Sequence, residues 1–444
     1  MLNPAQQTAY EAILQGRSIF LTGSGGTGKS YLIGEVYTAI HATTTRALSL
    51  TAMTGCAALL LHPRARTLHS WAGIGLGDAP AHVLVETVRV NKRAAMRWRV
   101  ADILVIDEVS MLTPELFEKL DAVGRAIRRR NCPFGGIQLV FVGDFYQLPP
   151  VSVGETRFVF ESPLWKALGL EVHELTEIVR QRDPVFQTIL GEARRGRLRP
   201  ESIQILQSRI GLDYSGLQIQ PSMVFTRRAK VHDINRKHLD ELLARSPAKD
   251  THTYKAVTLA SMKAVGDPGI PKAVEKLDKV ASYVPELTLA VGAQVMLLMN
   301  DLESGLTNGS RGVVVGFERD KEPEETDPDL LIPLVKFCGG RVFPIKRHKW
   351  DTELEGISRT QLPLTLAYAV TIHKTQGSTL DCALIDVGER TFEYGQAYVA
   401  LSRVKSLEAL YIHDFHPGAF KAHPKVKEFY SQLTVQAPAP AVEY

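Results

Sequence analysis

The stretch Gly23-Ser24-Gly25-Gly26-Thr27-Gly28-Lys29-Ser30 decides how this chain of 444 residues is read. The apolar run Ser18-Ile-Phe-Leu-Thr22 before it predicts a buried parallel strand, and Tyr31-Leu-Ile-Gly-Glu-Val-Tyr37 after it predicts a helix. A glycine-rich turn from strand to helix lets the backbone fold tightly with its N–H groups inward and the positive helix end behind them. Those are the requirements of a phosphate cradle. Gly23, Gly25, Gly26, Thr27 and Gly28 supply the backbone, Lys29 a mobile positive charge, and the Ser30 hydroxyl a ligand for Mg²⁺. The pattern reads as a nucleoside triphosphate site, and ATP and Mg²⁺ are the expected cofactors.

Working outward, Ile103-Leu-Val-Ile-Asp107-Glu108 is an apolar strand that ends in two carboxylates. Downstream of a phosphate loop, Asp107 suits the Mg²⁺ shell, and Glu108 suits a group that orients or deprotonates an attacking water. A third apolar run, Ile137-Gln-Leu-Val-Phe-Val142, leads into Gly143-Asp-Phe-Tyr-Gln147-Leu-Pro-Pro150, where the Gln147 amide is suited to sensing a γ-phosphate. Phe145 and Tyr146 beside it have two readings, stacking on bases or packing in the core.

The length favours two to four domains, and 45% hydrophobic residues is ample for their cores. No apolar run is long enough to span a membrane, and the N-terminus lacks the layout of a signal peptide. Cys56, Cys132, Cys338 and Cys382 are widely spaced, which indicates neither a zinc site nor a disulfide framework; a reducing, bacterial-type cytoplasm is the expected setting. The net charge of +4 does not itself identify a nucleic-acid partner. Basic side chains gather at Arg89–Arg99 and at Arg125–Arg130, where a solvated helix face is one reading and neither cluster is assigned as a base-reading site, and 322–329 forms an acidic loop.

With these elements in order, the chain resembles the PIF-type (petite integration frequency) branch of superfamily-one helicases, related to the RecD-type helicases. Leu2-Asn-Pro-Ala-Gln6 is similar to the family's adenine-reading motif, which assigns Gln6 to the base. Gln6 also lies so near Met1 that no N-terminal regulatory region is expected. The runs Thr51–Ala58 and Thr67–Gly75 resemble its single-strand-contacting motifs, although Met53 stands where the family usually has a small residue or proline. Glu108–Asp121 resembles the signature helix of the branch. Further on, Leu175–Gln181 resembles the motif whose arginine, here Arg180, reaches the γ-phosphate. Leu364–Gly377 resembles the motif that couples DNA to nucleotide, which places Gly377 on the nucleotide, and Gly395–Arg403 resembles the one whose arginine finger is here Arg403.

The resemblance implies an α/β fold of two RecA-like P-loop domains. Residues 1–180 would form the first, with a wedge insertion at about 62–81. The second would comprise 181–255 and 353–432, interrupted by an SH3-like β-barrel over 256–352 and followed by a flexible tail at 433–444. It further implies an ATP-dependent helicase moving 5′ to 3′ on DNA, or alternatively a DNA-stimulated translocase that remodels protein–DNA complexes. The expected partners are single-stranded and forked or structured duplex DNA, with no membrane, and the expected solution state is a monomer. Lys29, Ser30, Asp107 and Glu108 are expected on one wall of an ATP cleft, with Arg180 and Arg403 on the other. The expected DNA grips are Thr51, Thr54 and His69 on the first domain and Thr371, His373 and Lys374 on the second; capping or core packing remains an alternative for His373.

Overall fold

The computed structural model describes residues 2–436 apart from 63, 151–153, 218, 226, 227, 263, 282, 302, 303, 305, 307, 321–330, 339, 353, 355, 390 and 392. The acidic loop at 322–329 and the tail beyond 436 therefore lie outside the described residues. Two compact units divide the chain: one holds the chain up to Ile203 with Glu389–Ser402 and the segment from His416 onward, the other Gln204–Gly388 with Arg403–Phe415.

The first unit is built on six parallel strands, β1 Ile19–Gly23, β2 Leu48–Ala52, β3 Arg66–Thr67, β4 Ile103–Asp107, β5 Gln138–Val142 and β6 Glu171–Leu175. Their order across the sheet is β3-β2-β4-β5-β1-β6. Side chains alternate between faces, and each face has its own core. Phe20, Leu104, Ile106, Leu139 and Phe141 enter one core with Trp98, Phe117 and Trp165. Ile19, Leu21, Ile103, Val105, Val140 and Val142 enter the other with Ala9, Ile13, Leu32, Ile33 and Val36. Burial on both sides is why these strands read as continuous apolar runs rather than as alternating ones.

Helix Lys29–Thr43 starts two residues before the expected Tyr31, directly on the glycine loop. The signature segment is not helical from Glu108. A short 3₁₀ turn, Val109–Met111, comes first, and the helix Pro114–Arg128 begins where Pro114 occupies its first turn and the Thr113 hydroxyl caps Leu116 N–H. In 62–81, Leu68, Trp71 and Ile74 are core residues, whereas Leu76 between Gly75 and Gly77 is 79% exposed. Lys119 Nζ donates to Gly77 O at 2.8 Å, fixing the base of that tip.

Phe145 is a core residue, ringed by Phe20, Phe158, Phe160, Trp165 and Phe429. Tyr146 stacks on Tyr430 with ring centroids 4.8 Å apart. Core packing therefore accounts for both aromatics. The basic clusters are partly structural as well. Arg97 donates to Trp71 O and Ser70 O, while Arg128 donates to the carbonyls of Trp98, Arg99, Ala101 and Gly135.

The expected division placed all of 353–432 in the second domain. By contacts, 389–402 and 416–436 group instead with the first unit, because Val426, Phe429 and Tyr430 of helix Pro424–Gln436 complete the core around Phe20 and Phe160.

The second unit contains a four-stranded parallel sheet in the order Ala369–Thr371, Ser222–Phe225, Ala383–Val387, Leu410–Phe415. It also has a five-stranded antiparallel sheet of Val342–Pro344, Leu331–Phe337, Arg311–Arg319, Gln294–Leu297 and Leu364–Leu366. That second sheet closes over its own core of Leu287, Leu289, Val295, Val314, Val335 and Phe337. Among the described residues no helix is long and apolar enough to cross a membrane.

Candidate active site

Strands β1, β4 and β5 are adjacent and parallel, so the loop after Gly23, the Asp107-Glu108 pair and the Gly143-Asp144 turn all leave the sheet at its carboxyl edge. That edge is where open parallel sheets place their ligands. Gly26 and Gly28 have φ of 86° and 83°, a region that penalises any side chain. A Cβ on Gly26 would lie 2.7 Å from Arg180 Cβ, and one on Gly28 2.6 Å from Gln6 Nε2. The glycines are thus required both by backbone shape and by space.

Lys29 Nζ donates to Gly23 O at 2.7 Å and Ser24 O at 2.9 Å. Burial pulls its ammonium below the usual lysine value, opposed by the negative charges of Asp144, Glu108 and Asp107. The lysine therefore sits in the combined field of all three acids. Glu108 is one of the few non-glycine residues with positive φ, at 56°, which turns the chain sharply where β4 ends. Gly143 makes room for that turn, since a Cβ there would lie 3.0 Å from Val109 N. Burial and the Glu108 charge push the Asp107 carboxyl up to about 7, although Glu108 N–H donates to it at 2.8 Å. A divalent cation would relieve that cost. The Ser30 hydroxyl and the Asp107 carboxylate are the hard oxygen donors Mg²⁺ prefers. Among the described residues no group of three or more His, Cys, Asp or Glu could hold a metal. One carboxylate, one hydroxyl and phosphate oxygens are enough for Mg²⁺ without such a group.

Gln6 is buried against this loop. Its Oε1 closes a capping box with Asn3 N, and its Nε2 donates to Thr27 O at 3.3 Å. Gln147 is buried too and follows directly from the Asp144 turn, where its N–H donates to Asp144 O.

Two expected placements are corrected. Arg180, expected within 1–180 but on the wall opposite the loop, lies against the loop itself, where its N–H donates to Gly26 O at 3.2 Å and its Nη1 to Ser402 O at 3.1 Å. Thr51 is no surface grip. It is fully buried inside β2, and its hydroxyl donates to Val105 O of β4 at 2.6 Å. Thr54 caps helix Gly55–Leu61 through Ala57 N–H, and His69 is partly exposed on helix Leu68–Ala72. In the second unit Thr371 is nearly buried at the end of its strand, Arg403 is 2% exposed, and Gly377 has φ of 79°. His373 and Lys374 lie on the short helix Ile372–Thr375.

Sequence reasoning assigned no role to a buried cluster beside the loop. Asp144, wholly buried, receives a bidentate pair from Arg194, Nε at 2.9 Å and Nη2 at 3.0 Å. The hydroxyls of Tyr398 and Tyr430 each reach a carboxylate oxygen of Asp144 at 3.3 Å.

A family model described as PIF1-like helicase matches residues 1–193, and one described as DNA helicase Pif1, 2B domain, matches 281–317. A Pif1 helicase from Candida albicans has a crystal structure to which the chain is similar with a TM-score of 0.78 and 34% identity, covering 98% of this chain and 99% of that one. This chain belongs to the PIF1-like helicase family. Similarity within that family extends to a Bacteroides sp Pif1 solved in complex with ADP-AlF4, with a TM-score of 0.78, 27% identity and 98% of each chain covered. The human relative named ATP-dependent DNA helicase PIF1 is 41% identical over 440 residues. That alignment takes in 97% of this chain and 64% of the human protein, so the chain spans a little under two-thirds of this relative.

Proposed function

We propose that this PIF1-like chain hydrolyses ATP to move 5′ to 3′ along single-stranded DNA and to unwind duplex or structured DNA, acting as a monomer. The observation that carries the hydrolytic half is the placing, at one edge of the sheet, of Lys29 held on the carbonyls of a loop whose Gly26 and Gly28 are left-handed, the Asp107-Glu108 pair and the Asp144 turn. The DNA half rests on the family and on the relatives' naming as ATP-dependent DNA helicases.

In this reading the loop N–H groups other than that of Gly25, which the Tyr398 oxygen takes, bind the phosphates together with the Lys29 ammonium, and Gln6 lies toward the base. Ser30 and Asp107 hold Mg²⁺, which when bound neutralises charge on the transferring phosphoryl group. Glu108 orients and deprotonates water, Gln147 senses the γ-phosphate, and Arg180 adds positive charge from the loop's own unit. Arg403 is the finger contributed by the second unit, a contribution worth about 10³ to 10⁵ in rate. Gly377 accompanies the nucleotide on that unit.

The second unit is read as a second RecA-like domain, with four strands of its antiparallel sheet in the SH3-like insertion over 256–352 and the fifth, Leu364–Leu366, beyond it. Thr54, His69, Thr371, His373 and Lys374 are the proposed backbone grips, and the Leu76 tip is the wedge. Alternating grip between two domains converts nucleotide turnover into directional motion.

Three duplexes test this, alike except for a 5′ tail, a 3′ tail or blunt ends, with ATP turnover measured in parallel. Strand separation confined to the 5′-tailed duplex and dependent on ATP and Mg²⁺ is expected. DNA-stimulated turnover without separation would favour the remodelling translocase, and preference for the 3′ tail would overturn the direction.

A further inference from the structure

The hydrogen bonds around Asp144 form one connected, buried system that reaches the phosphate loop from three helices. Arg194 ends helix Pro184–Arg194, Tyr398 lies on helix Gln396–Leu401, and Tyr430 lies on helix Pro424–Gln436. The Tyr398 oxygen accepts Gly25 N–H at 2.7 Å, and its single proton goes to Asp144 Oδ2. The Tyr430 hydroxyl is 2.7 Å from Thr22 Oγ1 at the end of β1, accepts Phe145 N–H at 3.2 Å, and reaches Asp144 Oδ1. Tyr146 N–H also donates to Asp144 Oδ1, at 3.2 Å. Arg194 lies over the rings of Tyr146 and Tyr430, 4.8 and 5.2 Å from their centroids. Counting donors, the carboxylate takes two bonds from Arg194 and one each from Tyr146, Tyr398 and Tyr430.

Each proton therefore runs toward Asp144, and each tyrosine oxygen is left to accept from the backbone. Burial pushes the Tyr430 phenol far up, so it remains a donor at any working pH. Burial would lower the Arg194 guanidinium, but the Asp144 charge holds it well above its usual value. Thr22 and Gly25 flank the start of the phosphate loop, and Gln147 follows Asp144 by three residues. The cluster thus joins the element that binds phosphate to the one that carries Gln147.

We propose that Tyr398 and Tyr430 are positioning residues for ATP hydrolysis: anchored on the Asp144–Arg194 pair, their hydroxyls hold Gly25 and Thr22 and so fix the phosphate loop relative to Gln147. This rests on the hydrolytic reading of the site. Neither hydroxyl is assigned to touch the nucleotide, so its loss leaves ground-state binding to Lys29 and the other loop N–H groups while misaligning the reacting atoms.

The test uses the full chain with saturating single-stranded DNA and measures kcat and KM for ATP, fluorescent ADP binding, and Tm. Tyr430→Phe and Tyr398→Phe keep the ring packing. Each is expected to lower kcat about tenfold with KM and ADP affinity within about twofold. Thr22→Val removes the partner hydroxyl of Tyr430, and the pair Thr22→Val with Tyr430→Phe should cost no more than the larger single loss. Tyr283→Phe is the control. It removes a tyrosine hydroxyl bonded to Asp278 in the other unit and should leave kcat unchanged.

A kcat within twofold of wild type in both tyrosine variants overturns the inference. So does a loss that saturating ATP restores, or one that Tyr283→Phe matches. If Lys29→Ala still turned over ATP, the site reading and this inference would fall together. If that variant is dead while Tyr430→Phe is unimpaired, only this inference falls.

Discussion

Glu108 N–H donates to Oδ1 of its neighbour Asp107 at 2.8 Å, at the end of a strand where both carboxylates are at least nine-tenths buried. One backbone bond offsets only part of the cost of two adjacent buried charges, which is why the Asp107 carboxyl is pushed up to about 7 from an ordinary 3.8.

The sign of that shift gives the first prediction. A folded-state value above the unfolded one means that between about pH 4 and 7 the folded protein keeps a proton the unfolded chain releases, so stability falls as pH rises through that window. Asp107→Asn removes the charge. In EDTA at pH 8 its Tm should exceed that of wild type by a few degrees, and the gain should shrink toward pH 5. The same variant should lose nearly all ATP turnover. Equal melting temperatures at pH 8 would show that the buried charge is not penalised.

Lys29→Ala should abolish hydrolysis and leave single-strand affinity within about threefold, because the ammonium is turned onto the carbonyls of the glycine loop. Fluorescence anisotropy with a labelled oligonucleotide, beside a phosphate-release assay, checks both halves. Loss of DNA binding equal to the loss of turnover would count against the division of labour.

Arg403→Lys should bind nucleotide normally and hydrolyse it at least about 10³-fold more slowly, because a lysine keeps the charge without the planar fork. Lysine is used because Arg403 is buried and an alanine would leave a cavity. Single-turnover kinetics at saturating ATP separates this from weakened binding, and a normal saturated rate would remove Arg403 from the reaction.

Leu76→Asp should reduce strand separation several-fold with DNA-stimulated ATP turnover unchanged. The side chain is exposed at a tip whose base is pinned by Lys119. Comparing unwinding and turnover rates on the same 5′-tailed duplex decides it. A parallel fall in both would mean that the tip is coupled to the motor and not merely to the duplex.

What could be read from the sequence was whatever a short run of residues imposes on its own backbone. The glycine loop, the strand ending in Asp107-Glu108 and the turn before Gln147 are local patterns, and the sheet places all three at one edge. A threonine in a strand looks the same whether it faces DNA or a neighbouring strand, so Thr51 could not be sorted before its bond to Val105 O was seen. Arg180 was misplaced because its motif follows β6, and nothing local says that the chain turns back to Gly26. The Asp144 cluster left no trace at all. Its tyrosines lie 254 and 286 residues away, and only the closed fold brings them together.

Helix Pro424–Gln436 joins the core of the first unit after the whole of the second unit has been threaded through the chain. During synthesis the first unit emerges early, yet its aromatic core around Phe20, Phe145 and Phe160 waits for Phe429 and Tyr430. A ribosome that stalls inside the second unit therefore releases a protein that carries the entire glycine loop but has an open hydrophobic face where the last helix belongs. Closure of the first unit's core is in this way a check that synthesis has passed the second unit.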